Sequence, residues 1–233
     1  MNLCIIPARK GSKRIPGKNI REFMGKPIYH YSVDVACECR LFDEIIIATN
    51  DEYFYRWRGI KIYRRQGKNA TDDATLYQAI IETLFAVGAT NGRIHKYENV
   101  CIIYPCAPFI TPERLKEGYE LLQKGFDTVF PVQEIGYHIE RTLRFIRHSK
   151  SNKVEEIFQV YKDMNAAPNW REYYKHVGQW FWCRIDKLLK NGTIIPENSG
   201  AIVLPWWEAQ ECDNEIDWEI MEWKYDVFLK KQK

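Results

Sequence analysis

Short apolar runs alternate with stretches of helical spacing through the first half of the chain. Leu3–Ala8 is apolar throughout, as a strand covered on both faces must be. Lys26–Cys39 carries Ile28, Tyr31, Val35 and Cys39 at helical spacing, and Glu44–Thr49, with three isoleucines in series, reads as a second buried strand. Ile60–Tyr63 is a third strand, and Asp72–Val87 is a helix whose acidic opening suits the positive end of its dipole. Asn99–Tyr104 is the next strand. Thr111 then supplies an N-cap and Pro112 the first helical position of a helix running to about Lys124, followed by a strand over Asp127–Val132. Strands alternating with helices in this way predict a doubly wound, mostly parallel α/β sheet, with ligands at the carboxyl ends of its strands.

After Pro131 the rhythm changes. Gln133–Val177 is polar and aromatic with weak periodicity, and reads as an inserted arm. Gly178–Arg184 returns to strand character. Asn214–Lys230 is a terminal helix, with Asn214 and Asp217 spaced as a capping box. The expectation is a single domain over 1–233 with an excursion over about 133–177.

Composition narrows the class. The 233 residues are 45% hydrophobic, ample for a core, and 34 Lys and Arg against 31 Asp and Glu leave a formal charge of +3. That balance does not mark a nucleic-acid binder or a membrane-surface protein, and no apolar run approaches the roughly 18–20 residues of a membrane span. The opening residues meet Arg9 and Lys10 too soon for a secretory signal. Seven cysteines without zinc-like spacing imply reduced thiols, so the expected location is cytoplasmic.

Charge is uneven in one place. Between Pro7 and Lys26 stand seven basic residues and one acidic one, and Pro7–Asn19 reads PARKGSKRIPGKN. Gly11 and Gly17 permit close approach of backbone to a ligand, while Arg9, Lys13, Arg14 and Lys18 supply positive charge. A loop of this kind after a buried strand suits a polyphosphate. Five residues separate the glycines, and Asn19 follows Lys18, so it is neither a Walker A loop nor a GxGxxG turn. On composition alone, a solvated basic turn explains the same residues.

The ordered stretch IIPARKGSKRIPGKNI (Ile5–Ile20) resembles the signature of the CMP-sialic acid synthetases, a family of cytidylyltransferases. The resemblance continues through Gly25–Ala36, Leu41–Asp51, Tyr104–Glu113 and Asp127–Glu134. It narrows towards the pseudaminic acid branch in IERTLR (Ile139–Arg144), VGQWFW (Val177–Trp182) and Val203–Trp218.

The resemblance implies a nucleotide-diphospho-sugar transferase (Rossmann-like) fold with a dimerisation arm. The implied partners are CTP and a nonulosonic acid, and the implied cofactor is Mg2+. It assigns the CTP phosphates to Arg9, Gly11, Ser12, Lys18 and Asn19, with Lys13 and Arg14 close by, and catalysis to Arg9, Lys18 and Asp213. Arg64–Thr75 is similar to the family's RPxxLAxD segment. Arg65 is thereby implied at the cytosine edge, with Ala74 beside it; an exposed surface arginine is the alternative.

In register with the family's DIDTxEDW stands Glu211–Trp218, implying Glu211 and Asp213 as metal ligands. Alternation in an extended segment puts both on one side. Acceptor contacts are expected from Tyr104, Arg141 and Gln179, although Ala166–Trp170 replaces a family motif that carries an Arg. Arg171 or Lys175 are other candidates for the sugar carboxylate, and His176 reads either as a general base or as a packed ring. Sialic, legionaminic or eight-carbon acids are alternative acceptors. A non-catalytic nucleotide sensor and an RNA-binding module are alternatives of other classes.

Overall fold

The computed structural model describes residues 1–54, 59–67, 74–90, 93–94, 96–136, 139, 142–145, 154–156 and 172–232. Its centre is an eight-stranded sheet: β1 (Asn2–Pro7), β2 (Glu44–Thr49), β3 (Lys61–Arg64), β4 (Asn99–Ile103), β5 (Thr128–Glu134), β6 (Tyr174–His176), β7 (Trp180–Arg184) and β8 (Ser199–Val203). Helices α1 (Tyr29–Glu38), α2 (Leu76–Gly88), α3 (Pro112–Gln123), α4 (Ile185–Asn191) and α5 (Glu215–Lys231) complete it.

β1 lies between β2 and β4, parallel to both, and β3 extends the parallel set. Beyond β4 comes β7, antiparallel to β4 and β5, and β8 pairs parallel with β5. Thr128 of β5 has Cys183 and Ser199 as partners, and Val132 has His176 and Val203. β6 and β7 therefore share one edge of β5, as two halves of a bent strand, with β8 on the other.

The pleat sorts the core into two layers. From β1, Cys4 and Ile6 join the cluster built on Tyr29, Val33 and Ala36 of α1 and Leu115 and Leu122 of α3. Leu3 and Ile5 join Ile80 and Leu84 of α2 with Ile185 and Leu188 of α4. β7 repeats the division, Trp180 and Trp182 on the first side and Phe181 and Cys183 on the second. Helices thus cover both faces, which is the doubly wound arrangement expected. Gly118 of α3 is required by that packing, because a Cβ there would collide with the Trp180 ring.

Some boundaries differ from the sequence reading. Helix α1 starts at Tyr29 because Lys26–Pro27 is taken up in a small ladder with Glu22–Phe23. Helix α2 starts at Leu76, where Thr75 and Gln78 exchange hydrogen bonds (Thr75 N to Gln78 Oε1, 2.9 Å; Gln78 N to Thr75 Oγ1, 3.2 Å). Asp72 and Asp73 lie outside the described residues. Helix α4 and strand β8 were not expected. Within the arm, Leu143–Phe145 pairs with Val154–Glu156 in a separate two-stranded ladder, and β6 returns the chain to the main sheet. Among the described residues no helix is long and apolar enough to cross a membrane, and all seven cysteines are free thiols.

Candidate active site

A cleft of about 690 Å³ opens at the carboxyl ends of β1, β3 and β4, the size of a small-ligand site. Its wall contains Arg9, Ser12, Lys13, Arg14, Lys18 and Asn19 from the loop after β1. Arg65 follows β3, Ala74–Leu76 opens α2, and Tyr104 and Cys106 follow β4. Gly178, Glu211 and Asp213 close the far side. The structure thus brings together residues separated by as much as two hundred positions in the chain.

The basic loop is held by an apolar plug. Ile15 is fully buried and packs in a cluster with Phe23, Phe109, Trp218, Met221 and Phe228. Gly17 adopts φ 63°, a left-handed turn that glycine takes without steric cost, leading directly into a short 3-10 turn at Lys18–Ile20. Asn19 Nδ2 donates to the Arg9 carbonyl (2.9 Å), cross-bracing the loop, and its Oδ1 accepts from Cys106 Sγ (3.2 Å). Gly11, at φ 91°, shapes the turn but does not line the cleft.

Cys106 is a buried thiol. Burial pushes its pKa up to about 12, against the pull of Lys18, so the group stays protonated and serves as a donor to Asn19. Tyr104 is likewise raised to about 12, first by burial and then by the charges of Glu211 and Asp213. Both carboxylates therefore act on the same hydroxyl.

Arg65 is buried, 6% exposed, which excludes the reading as a solvated surface arginine. Its backbone N–H donates to the Thr49 carbonyl (2.9 Å). Burial lowers the guanidinium pKa, Glu82 raises it and nearby Arg9 lowers it again, so two arginines lie in electrostatic contact beside the cleft. That concentration of positive charge favours an anionic ligand.

On the acidic side Glu211, Cys212 and Asp213 all line the cleft, and the buried Cys212 also belongs to the cluster around Ile15. Glu211 Oε1 accepts from Gly178 N–H (3.0 Å), at the point where β6 gives way to β7. Asp213 N–H donates to Asp217 Oδ2 (2.8 Å), within the capping box that Asn214 and Asp217 form at the start of α5.

Among the described residues no three His, Cys, Asp or Glu side chains form a metal cage. Two hard carboxylates facing one polyphosphate-sized cleft nevertheless fit a divalent cation such as Mg2+, which takes one or two carboxylates and completes its shell with phosphate oxygens and water.

Across the cleft the two charged sides touch. Arg14 Nη2 lies 2.9 Å from Asp213 Oδ1, and Lys18 Nζ donates to the Cys212 carbonyl (2.7 Å). Arg21 pairs with Glu215 and stacks 4.4 Å over the Trp218 ring.

The expected acceptor residues are less uniform. Tyr104 lines the cleft, but Gln179 does not: it is 1% exposed and its Nε2 donates to the Glu208 carbonyl. In that placement the amide supports the segment that leads to Glu211. Arg141, Arg171 and Ala166–Trp170 lie outside the described residues. His176 lines the cleft, stacked on Phe181 (ring centroids 4.8 Å apart) with Nδ1 3.8 Å from Glu211 Oε1. Burial lowers its pKa and Glu211 partly restores it.

Comparisons with known proteins give the chain a family. The Cytidylyltransferase family profile matches residues 3–173. The chain is 30% identical over 230 residues to pseudaminic acid cytidylyltransferase of Campylobacter jejuni, covering 97% of each chain. It is 25% identical to CMP-N,N'-diacetyllegionaminic acid synthase of Legionella pneumophila, over 94% of each. Among solved structures, CMP:2-keto-3-deoxy-manno-octonic acid synthetase complexed with CTP superposes with a TM-score of 0.64 at 18% identity, over 100% of this chain and 99% of that one, a likeness of fold. A cationic loop after the first strand, an acidic segment opposite it and a family match across most of the chain converge: this protein belongs to the Cytidylyltransferase family.

Proposed function

We propose that the protein transfers CMP from CTP to the anomeric 2-hydroxyl of a nonulosonic acid, pseudaminic acid being the first choice. The observation that carries this reading is the single cleft in which the Arg9–Asn19 loop faces Glu211 and Asp213. The acceptor rests on the relatives, which act on pseudaminic and legionaminic acids by name.

The sugar hydroxyl oxygen forms a bond to the α-phosphorus, the bond from that phosphorus to pyrophosphate breaks, and the hydroxyl proton leaves. Charge accumulates on the departing pyrophosphate, and Lys13, Arg14 and Lys18 are the groups able to neutralise it. Arg9 and Asn19, tied to one another, fix the loop around the phosphates. Arg65 and Ala74, which line the same cleft, are assigned to the cytosine, and Tyr104 to the acceptor. Mg2+ held by Glu211 and Asp213 would polarise the phosphate and ease deprotonation of the hydroxyl. Cys106 takes no part as a nucleophile, since direct displacement needs none and its thiol is protonated.

The protein is proposed to work in the cytoplasm as a homodimer, with the 133–177 arm reaching the partner. Incubation with CTP, Mg2+ and a panel of nonulosonic acids, followed by pyrophosphate release and product mass, tests the function. A CMP-sugar is expected with pseudaminic acid. Product with another acid moves the acceptor, and none with any acid favours the sensor reading.

A further inference from the structure

Lys224 is 7% exposed on the inner side of α5, and no ion pair among the described residues joins it to a carboxylate. Its Nζ donates to the Ala209 carbonyl (2.7 Å) and to Gln210 Oε1 (3.1 Å), and lies 5.5 Å from the centre of the Trp206 ring. Withdrawing an ammonium from water is costly unless other groups replace the lost solvation; a methionine of similar volume fills such a place without that cost but leaves the two acceptors unpaired.

What the ammonium does is hold the two residues that precede Glu211. Gln210 passes the restraint on, since its Nε2 donates to the Glu211 carbonyl (2.9 Å). One residue upstream, Glu208 is gripped by Arg114 through two hydrogen bonds (2.7 and 3.3 Å), and its carbonyl accepts from Gln179. The backbone leading into the acidic pair is thus fixed at consecutive residues, and Lys224 is the tether nearest the carboxylates on that side.

We propose that Lys224 is a positioning residue for the transfer reaction: through Ala209 and Gln210 it holds the Glu211–Asp213 segment so that both carboxylates face the cleft. The proposal rests on the reading of those two residues as cation ligands. Residues that orient metal ligands from behind typically cost 10–100-fold in metal affinity or activity when removed.

Lys224→Met tests it. The expected variant, having lost the hydrogen bonds to Ala209 and Gln210, melts slightly below the wild-type temperature, and a glutamate-specific protease cuts faster after Glu211. Mn2+ binding to the protein–CTP complex, followed by electron paramagnetic resonance, weakens about 10-fold, while KM for CTP stays within about twofold of wild type as expected for a residue remote from the nucleotide loop. Gln210→Ala cuts the same tether from its other end, leaves the buried position intact, and gives a smaller shift in the same direction.

Wild-type proteolysis and wild-type Mn2+ affinity in Lys224→Met overturn the proposal. So does a variant that merely melts earlier, with Gln210→Ala unchanged, because that is a packing role. If wild-type protein releases no pyrophosphate with any sugar acid, the functional reading fails, while the protease result still decides the tether.

Discussion

Arg14 and Asp213, 199 positions apart in the chain, meet at 2.9 Å across the mouth of the cleft. Both side chains are more than half exposed, at 69% and 52%. An ion pair in that setting contributes at most about 1 kcal/mol, and salt screens it. Under the proposed function it is therefore a contact to be exchanged for phosphate and cation. Arg14→Ala is expected to leave the melting temperature within about 2 °C of wild type. KM for CTP is expected to rise about 10-fold at low ionic strength and less in high salt. Steady-state kinetics at two salt concentrations check this; a salt-independent KM contradicts it.

Asp213→Ala removes the other partner. Its carboxylate accepts from Arg14, whereas the backbone bond from Asp213 N–H to Asp217 survives the substitution and keeps the start of α5 capped. Turnover should fall at least about 100-fold, the scale of losing a group that stabilises transition-state charge, with circular dichroism and melting unchanged. Full activity in this variant refutes the metal assignment.

Cys106 offers a control. Its protonated thiol supports Asn19, and a hydroxyl can donate in its place. Cys106→Ser is expected to retain kcat within about threefold, whereas loss of a nucleophile would cost several orders of magnitude. Pyrophosphate release by the purified variant measures the difference.

Glu44, at the start of β2, links acid stability to the sheet. Burial alone would raise its pKa, but Lys61, Lys96 and the Tyr97 hydroxyl more than offset that and bring it down to about 2. Because the folded pKa lies below the unfolded value, the stabilisation is present at neutral pH and is lost as pH falls from about 4 towards 2. Both lysines are substantially exposed, so after solvent screening the contribution is about 1 kcal/mol. Glu44→Gln should be less stable than wild type by that amount at pH 7, and equal to it near pH 2. Urea melts at the two pH values test this; a constant difference argues against it.

The parallel half of the fold is legible in the sequence because β1, β2 and β4 are central strands whose middle residues are apolar and buried. The capping residues of α3 and α5 stand where Thr111, Asn214 and Asp217 place them. Helix α4 is too short, at seven residues, for periodicity to register, and β8 is a five-residue strand that alternates buried and exposed positions and includes a glycine. For α2 the Thr75–Gln78 spacing carries the start, while the acidic pair Asp72–Asp73 points upstream.

Of the site, the loop charges and the nearness of Glu211 and Asp213 to one another can be read directly. The burial of Arg65, the use of Gln179 on Glu208 and the Lys224 tether cannot, because each depends on partners 14 or more positions away that only the folded chain supplies.

Under the proposed function one cleft holds a cytidine triphosphate between the Arg9–Asn19 loop and the acidic pair. Calorimetric titration of CTP into the protein with Mg2+ present tests it most directly. A saturable heat with one nucleotide per chain is expected, lost in Arg9→Ala. No heat with the wild-type protein, or an unchanged isotherm in Arg9→Ala, would contradict it.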